Sequence, residues 1–203
     1  MNVTAGTPAR TAVPSWARAF ARQAPLFLSI LAVLIIGSLL SPFFLTEANF
    51  GNILITGSVV SVLAVGQFMV IVTAGIDLSV GAVASFSTVL SAVLMSNGVP
   101  ALPTVLITLA ICAIFGLGNG SLIVFGKITP FIATLGMLGI AQGMAYLVQG
   151  GTYIRIENDA FISFFSGQVG RIPHQVIIFM AITVLFGVLM RWGTFLSLRL
   201  LVF

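Results

Sequence analysis

Long apolar runs recur along this chain, each closed by a few polar or turn-forming residues. They cover Pro25–Leu45, Ile53–Thr73, Leu78–Met95, Pro103–Phe125, Ile128–Val148 and Val176–Trp192. At 1.5 Å of rise per residue, about 20 apolar residues cross the ~30 Å hydrocarbon core of a bilayer. The breaks between runs carry turn chemistry: Asn97-Gly98 with Val99-Pro100, Gly126-Lys127, and Gly150-Gly151. The pattern predicts an all-α, polytopic membrane helix bundle with about six transmembrane spans. The third and fifth runs are interrupted by Gly or Pro, so each is read as either a full or a re-entrant helix. Residues 1–24 form a polar N-terminal segment, 25–192 the membrane domain and 193–203 an atypical tail. "LLSPFFLTEANF" offers no small-residue cleavage site after the first run, so that run is read as a retained helix rather than a signal peptide.

Composition agrees with a bilayer as solvent. The chain is 59% hydrophobic and 6% charged, with a mean hydropathy of +1.22, whereas soluble domains carry about 25% charged residues. The net charge of +4 does not point to nucleic acid, because the basic residues sit at the ends of apolar runs. With the N-terminus cytoplasmic, Arg10, Arg18, Arg22, Lys127, Arg191 and Arg199 fall inside. Arg155 and Arg171 fall outside, offset by Glu157 and Asp159. That bias predicts an N-in orientation. It also puts the turn around Asp77 near the cytoplasmic face. The outside segment, 149–175, alternates Tyr153, Phe161, Phe164 and Phe165 with charges. It reads either as an interfacial connector or as a docking surface for an extracytoplasmic partner. Cys112 is the single cysteine and His174 the single histidine, so neither an internal disulfide nor a Cys/His metal site is expected.

Inside the runs, Gly116 and Gly120, and likewise Gly139 and Gly143, form GxxxG pairs. Such pairs let helix backbones approach closely in lipid, and here they predict helix packing. Gln67, Asn119, Thr134 and Gln142, with Gly120 and Pro130, are the candidate pathway or packing residues. Each polar one either bonds a neighbouring helix or lines a polar route. No GxSxG, HExxH or paired intramembrane Asp occurs, so an intramembrane hydrolase is not expected. Asp77 stands alone among apolar neighbours in "TAGIDLSVGAVASFS" (73–87). One reading makes it a cap, with Gly75 left-handed at the end of one helix and Asp77 accepting N–H bonds from around Ser79 and Val80. The other makes it a pathway or subunit-contact charge paired with Lys127.

The run Gly75-Ile76-Asp77-Leu78-Ser79-Val80-Gly81 is the point at which the chain resembles a known family. With Asn119-Gly120 and the Pro130–Gly136 segment "PFIATLG", it is similar to the permease subunits of ABC importers for ribose, xylose, arabinose and related sugars. The resemblance covers roughly residues 25–192. It implies a multi-pass permease of the cell inner membrane that is not itself an enzyme. It implies several partners: a cytoplasmic ATP-binding cassette ATPase subunit, a periplasmic sugar-binding protein and a second permease copy. ATP would be bound on the partner subunits and no cofactor on this chain, in keeping with the absence of a GxxxxGK[ST] phosphate loop.

Family members continue beyond the sixth span into a cytoplasmic segment and further helices. Here "RWGTFLSLRLLVF" ends at Phe203 without the usual Phe-Gly-Arg continuation. The expectation is a truncated permease that is not competent alone. Two alternatives stay open: a passive pore or structural membrane protein without an energising partner, and a channel built from paired half-helices near Gly75 and Pro130.

Overall fold

The computed structural model describes residues 15–191, with side chains from Arg22 to Met190. The expectations for residues 1–14 and for the 193–203 tail lie outside them. The elements run α1 (Ser15–Leu40), α2 (Glu47–Val72), α3 (Val80–Ser96), α4 (Ala101–Val124), α5 (Pro130–Gln149), α6 (Asp159–Ser166), β1 (Gln168–Val169), β2 (Ile172–Pro173) and α7 (His174–Arg191). The chain divides into one unit up to Phe50 and a second from Gly51 onward.

In the first unit, α1 begins at Ser15, so Pro25 lies inside the helix rather than at its start. It ends at Leu40, short of the expected Leu45. Pro42 explains the stop, because a proline biases the residue before it away from helical geometry. The Ser41 hydroxyl then accepts the Phe43 N–H at 3.3 Å, and the chain turns. The next helix starts at Glu47, six residues before the expected Ile53. Thr46 caps it by accepting the Asn49 N–H at 3.3 Å, and Asn49 donates back to the Phe44 carbonyl at 2.7 Å. Polar residues that read as a loop are therefore a helix cap and first turn.

In the second unit, α3 is the central element, packed against α5 and α4. Ala82, Phe86 and Leu90 of α3, Phe115 of α4 and Ala141 of α5 form its core. The Phe86 and Phe115 rings lie 5.3 Å apart, tilted by 58°. Ser91 and Thr108 join α3 to α4 through their hydroxyls at 3.1 Å. Among the described residues four helical segments are long and apolar enough to cross a membrane: Arg22–Leu40, Glu47–Val72, Ala101–Val124 and Pro130–Gln149. Val80–Ser96 and His174–Met190 are shorter apolar helices. Of the six runs expected as spans, the third and the sixth are these shorter helices. The fifth is continuous, with Pro130 at its first turn, where a missing N–H costs nothing. Among the described residues α3 and α5 each run as one unbroken helix.

The GxxxG expectation is corrected. Gly116, Gly120, Gly139 and Gly143 are all exposed, and a Cβ added at any of them would meet nothing within 4 Å. The close approach between α4 and α5 occurs instead at Gly118, where an added Cβ would lie 3.1 Å from Met137 Cε. Spacing identifies a face able to pack closely; it does not identify which face the bundle uses.

The 149–175 segment holds more order than a simple connector. Gly150 closes α5 in the left-handed region at φ 65°. Asn158 caps α6 by accepting the Phe161 N–H at 3.0 Å. The pairs Gln168 with Pro173 and Val169 with Ile172 form a two-stranded hairpin turning at Gly170, φ 63°. His174 Nδ1 and Gln175 Nε2 hydrogen-bond to the Phe164 and Phe165 carbonyls, fastening α6 to α7.

Candidate functional site

The segment between α2 and α3 is built from the backbone outward. The N–H of Ala74 bonds the Ile71 carbonyl at 2.9 Å and that of Gly75 bonds Val70 at 3.0 Å. This is a Schellman closure, and the residue in the left-handed region is Ala74, at φ 59°. Gly75 was expected to take that role and does not. Its missing side chain meets a different need: an added Cβ would sit 3.0 Å from Val70 Cγ1 and 3.3 Å from the Val70 carbonyl oxygen.

Asp77 follows, half-buried. Its Oδ1 accepts the Ser79 N–H at 2.7 Å and the Ser79 hydroxyl at 2.6 Å. Asp77 thus forms an Asx turn onto Ser79, the N-cap residue of α3, whose own side chain makes no cap bond; the expected Val80 bond is not made. A carboxylate at a helix N-terminus is also favoured by the helix dipole. Lys127 forms no ion pair with Asp77; it is exposed in the left-handed turn after α4, at φ 55°.

Ser79 is 1% exposed and faces α4, where Asn119 Nδ2 donates to its Oγ at 2.9 Å. On the other side the Thr134 hydroxyl of α5 donates to Pro130 at 2.8 Å and lies 3.4 Å from the Ile76 carbonyl. The 76–79 turn is thus held by α4 through Ser79 and approached by α5 at Ile76. The same contact puts the α2–α3 and α4–α5 turns at one end of this unit. The start of α4 (Ala101, Leu102, Val105) lies beside α6 at the other end, across a cavity of about 400 Å³.

Hydrogen positions in this network follow from its chemistry. An ionised carboxylate only accepts, so the Ser79 hydroxyl proton is committed to Asp77. Asn119 must then present its NH2 group to Ser79, which leaves its carbonyl Oδ1 buried with no donor. Beside the network lies a cavity of about 450 Å³ between α2, α3 and α4. Asp77, Ser79, Ser87 and Asn119 give it polar lining, and Val62 and Phe115 are among its apolar walls.

Of the residues singled out from sequence, Ile76, Asp77, Ser79, Asn119, Pro130 and Thr134 are brought together. Leu78 and Gly81 are exposed beside them. Gln142 and Gly120 are exposed away from the cluster's hydrogen bonds, and Gln67 keeps a buried Oε1 without a partner. Ser87, Ser91 and Thr108 were not anticipated in these roles. A serine or threonine in a helix usually bonds its own backbone, so its sequence position carries little signal.

Comparison with known proteins places the chain in a wider group. A family described as "Branched-chain amino acid transport system / permease component" matches residues 49–195. The D-allose transport system permease protein of Escherichia coli (strain K12) is 35% identical over 152 residues, 74% of this chain and 47% of that protein. The galactofuranose transporter permease protein of the same organism is 36% identical over 176 residues, 82% of this chain and 51% of that protein. The ribose import permease protein of Bacillus subtilis (strain 168) is 35% identical over 128 residues, 63% of this chain and 40% of that protein. The chain therefore spans about half the length of the curated relatives it matches. No solved structure matches it significantly.

Proposed function

Because the chain belongs to the family of transport-system permease components, a family of transporters rather than enzymes, we propose that it forms part of the translocation pathway of an ATP-driven monosaccharide importer. It is a multi-pass protein of the cell inner membrane, as its permease relatives and apolar helices indicate. The family description names branched-chain amino acids, whereas the curated relatives handle allose, galactofuranose and ribose. Those relatives carry the sugar reading.

The observation that most supports a moving pathway element is the convergence of the two sequence blocks on one turn. Residues 76–79 are tied to α4 by the bond between Asn119 and Ser79 and contacted by α5 at Thr134. A turn gripped by two helices transmits displacement between them. In this reading a cytoplasmic ATPase subunit binds and hydrolyses ATP, the helices alternate between two packings, and sugar arrives from a periplasmic binding protein on the side of the 149–175 segment. Further permease surface, from a second copy or from additional helices, completes the pathway.

The test is uptake of radiolabelled D-ribose and D-allose into proteoliposomes. The chain is reconstituted with candidate ATPase and binding-protein partners, with and without ATP. The importer reading expects accumulation only with ATP. Flux that equilibrates without ATP would replace it with the passive-pore reading, and failure to bind any ATPase partner would remove the energised mechanism.

A further inference from the structure

The cavity between α2, α3 and α4 is lined by groups with more acceptor sites than donors that reach them. Asp77 receives both of its bonds on Oδ1, leaving Oδ2 uncommitted. The Ser87 hydroxyl spends its proton on the Ala84 carbonyl at 2.7 Å, leaving its lone pairs. Asn119 lines the cavity, is 7% exposed, and has its carbonyl oxygen buried without a donor. That last group is the least expected, because a buried acceptor left unpaired costs about 1–3 kcal/mol of desolvation. One water would meet its need, but a water's share of liquid volume is ~30 Å³ and the cavity is about 450 Å³. A volume in this range, with mostly apolar walls and a few placed polar groups, is typical of small-molecule sites.

The geometry points to this cavity as a binding site for a small polyhydroxylated molecule, with Asn119 Oδ1, Asp77 Oδ2 and Ser87 Oγ accepting its hydroxyl protons. Phe115 supplies an apolar surface on the wall. The assignment rests on the importer reading for its choice of a sugar as occupant; the surplus of acceptors stands without it. Asn119 then has two tasks: its amide holds the α2–α3 turn through Ser79, and its carbonyl reads the ligand.

Cys112 lines the same cavity and is the single cysteine of the chain, so it reports occupancy directly. The experiment measures the alkylation rate of Cys112 by iodoacetamide in the purified full chain in detergent, with D-ribose, D-allose, glycine betaine, L-leucine or sodium chloride added. Saturable slowing by a sugar, not matched by betaine, is the expected result. Ser87→Ala and Asn119→Leu should each raise the half-protecting sugar concentration about fivefold, the equivalent of one neutral hydrogen bond. Should Asn119→Leu fail to fold, Ser87→Ala and the unmodified chain still decide the matter. No protection by any sugar overturns the assignment, as does equal protection by betaine or protection by leucine or sodium alone. ATP-dependent uptake without protection would sink this site and leave the importer reading standing. Protection without uptake would do the reverse.

Discussion

Ser79→Ala is the sharpest probe of how the turn between α2 and α3 is held. The substitution removes one oxygen from a position that is 1% exposed and creates no steric conflict. That oxygen donates to Asp77 at 2.6 Å and accepts from Asn119 at 2.9 Å. The bond to the carboxylate is charge-assisted, a class that contributes about 1.5–3 kcal/mol. Side-chain bonds between helices in membranes average only about 0.6 kcal/mol. Together they predict a loss of about 2–3 kcal/mol, since Asn119 would then be buried with neither end of its amide paired. Unfolding in mixed micelles of dodecyl maltoside and sodium dodecyl sulfate, followed by circular dichroism, measures it. Asn119→Leu and the double variant complete a cycle, in which the second substitution should cost about 1 kcal/mol less once Ser79 is gone. A loss below about 0.5 kcal/mol, the size of an ordinary surface change, would refute the argument. So would strict additivity of the two substitutions.

Other positions test the same geometry by different routes. Asp77→Asn keeps an oxygen able to accept both Ser79 bonds but gives up their charge assistance, so it should lose about 1 kcal/mol, read from the thermal midpoint, whereas Asp77→Ala loses both bonds and should cost about 2–3 kcal/mol; equal behaviour of the two would show that charge rather than capping matters. Ala74→Gly relieves a non-glycine residue at φ 59° and should raise stability by up to about 1 kcal/mol in the same unfolding assay. Gly126→Ala would place a Cβ 2.6 Å from the Leu122 carbonyl oxygen and should lower stability by about 1–3 kcal/mol, the range for overpacking; an unchanged midpoint would contradict the turn geometry. Gly120→Ala and Gly143→Ala meet open space and should be neutral, or stabilising by up to ~1 kcal/mol through helix propensity; destabilisation by either, read by circular dichroism, would show that its face is packed.

The spans were legible because lipid imposes one strong requirement, a long apolar run with internally bonded backbone. Their ends were less so. Thr46, Glu47 and Asn49 look like loop residues, yet polarity is what a helix start needs, and α2 begins among them. At the other end of α2, the pair Ala74-Gly75 misled in an instructive way. Propensity assigns the left-handed position to glycine, but the chain places glycine where a Cβ would press on Val70 and lets alanine carry the strained dihedral. The role of Asp77 could be read, because an Asx turn is local and spans two residues. The bond from Asn119 to Ser79 could not, since the two lie 40 residues apart and meet only once α3 and α4 have packed.

The brevity of α3 has a consequence of its own. Seventeen residues span only about 25 Å as a helix, against a hydrocarbon core of ~30 Å. The α2 and α4 helices flanking its cavity have 26 and 24 residues and exceed that thickness. A short strut among longer ones leaves a dimple wherever it stops. If its Phe86 and Met95 layers sit at ordinary core depth, the capped end carrying Asp77 lies below the headgroup plane, at the floor of a recess. Lipid chains solvate a carboxylate poorly, so an acid at that depth calls for water beside it. The lone acid of this stretch would then mark the bottom of an aqueous vestibule that begins inside the membrane's own thickness.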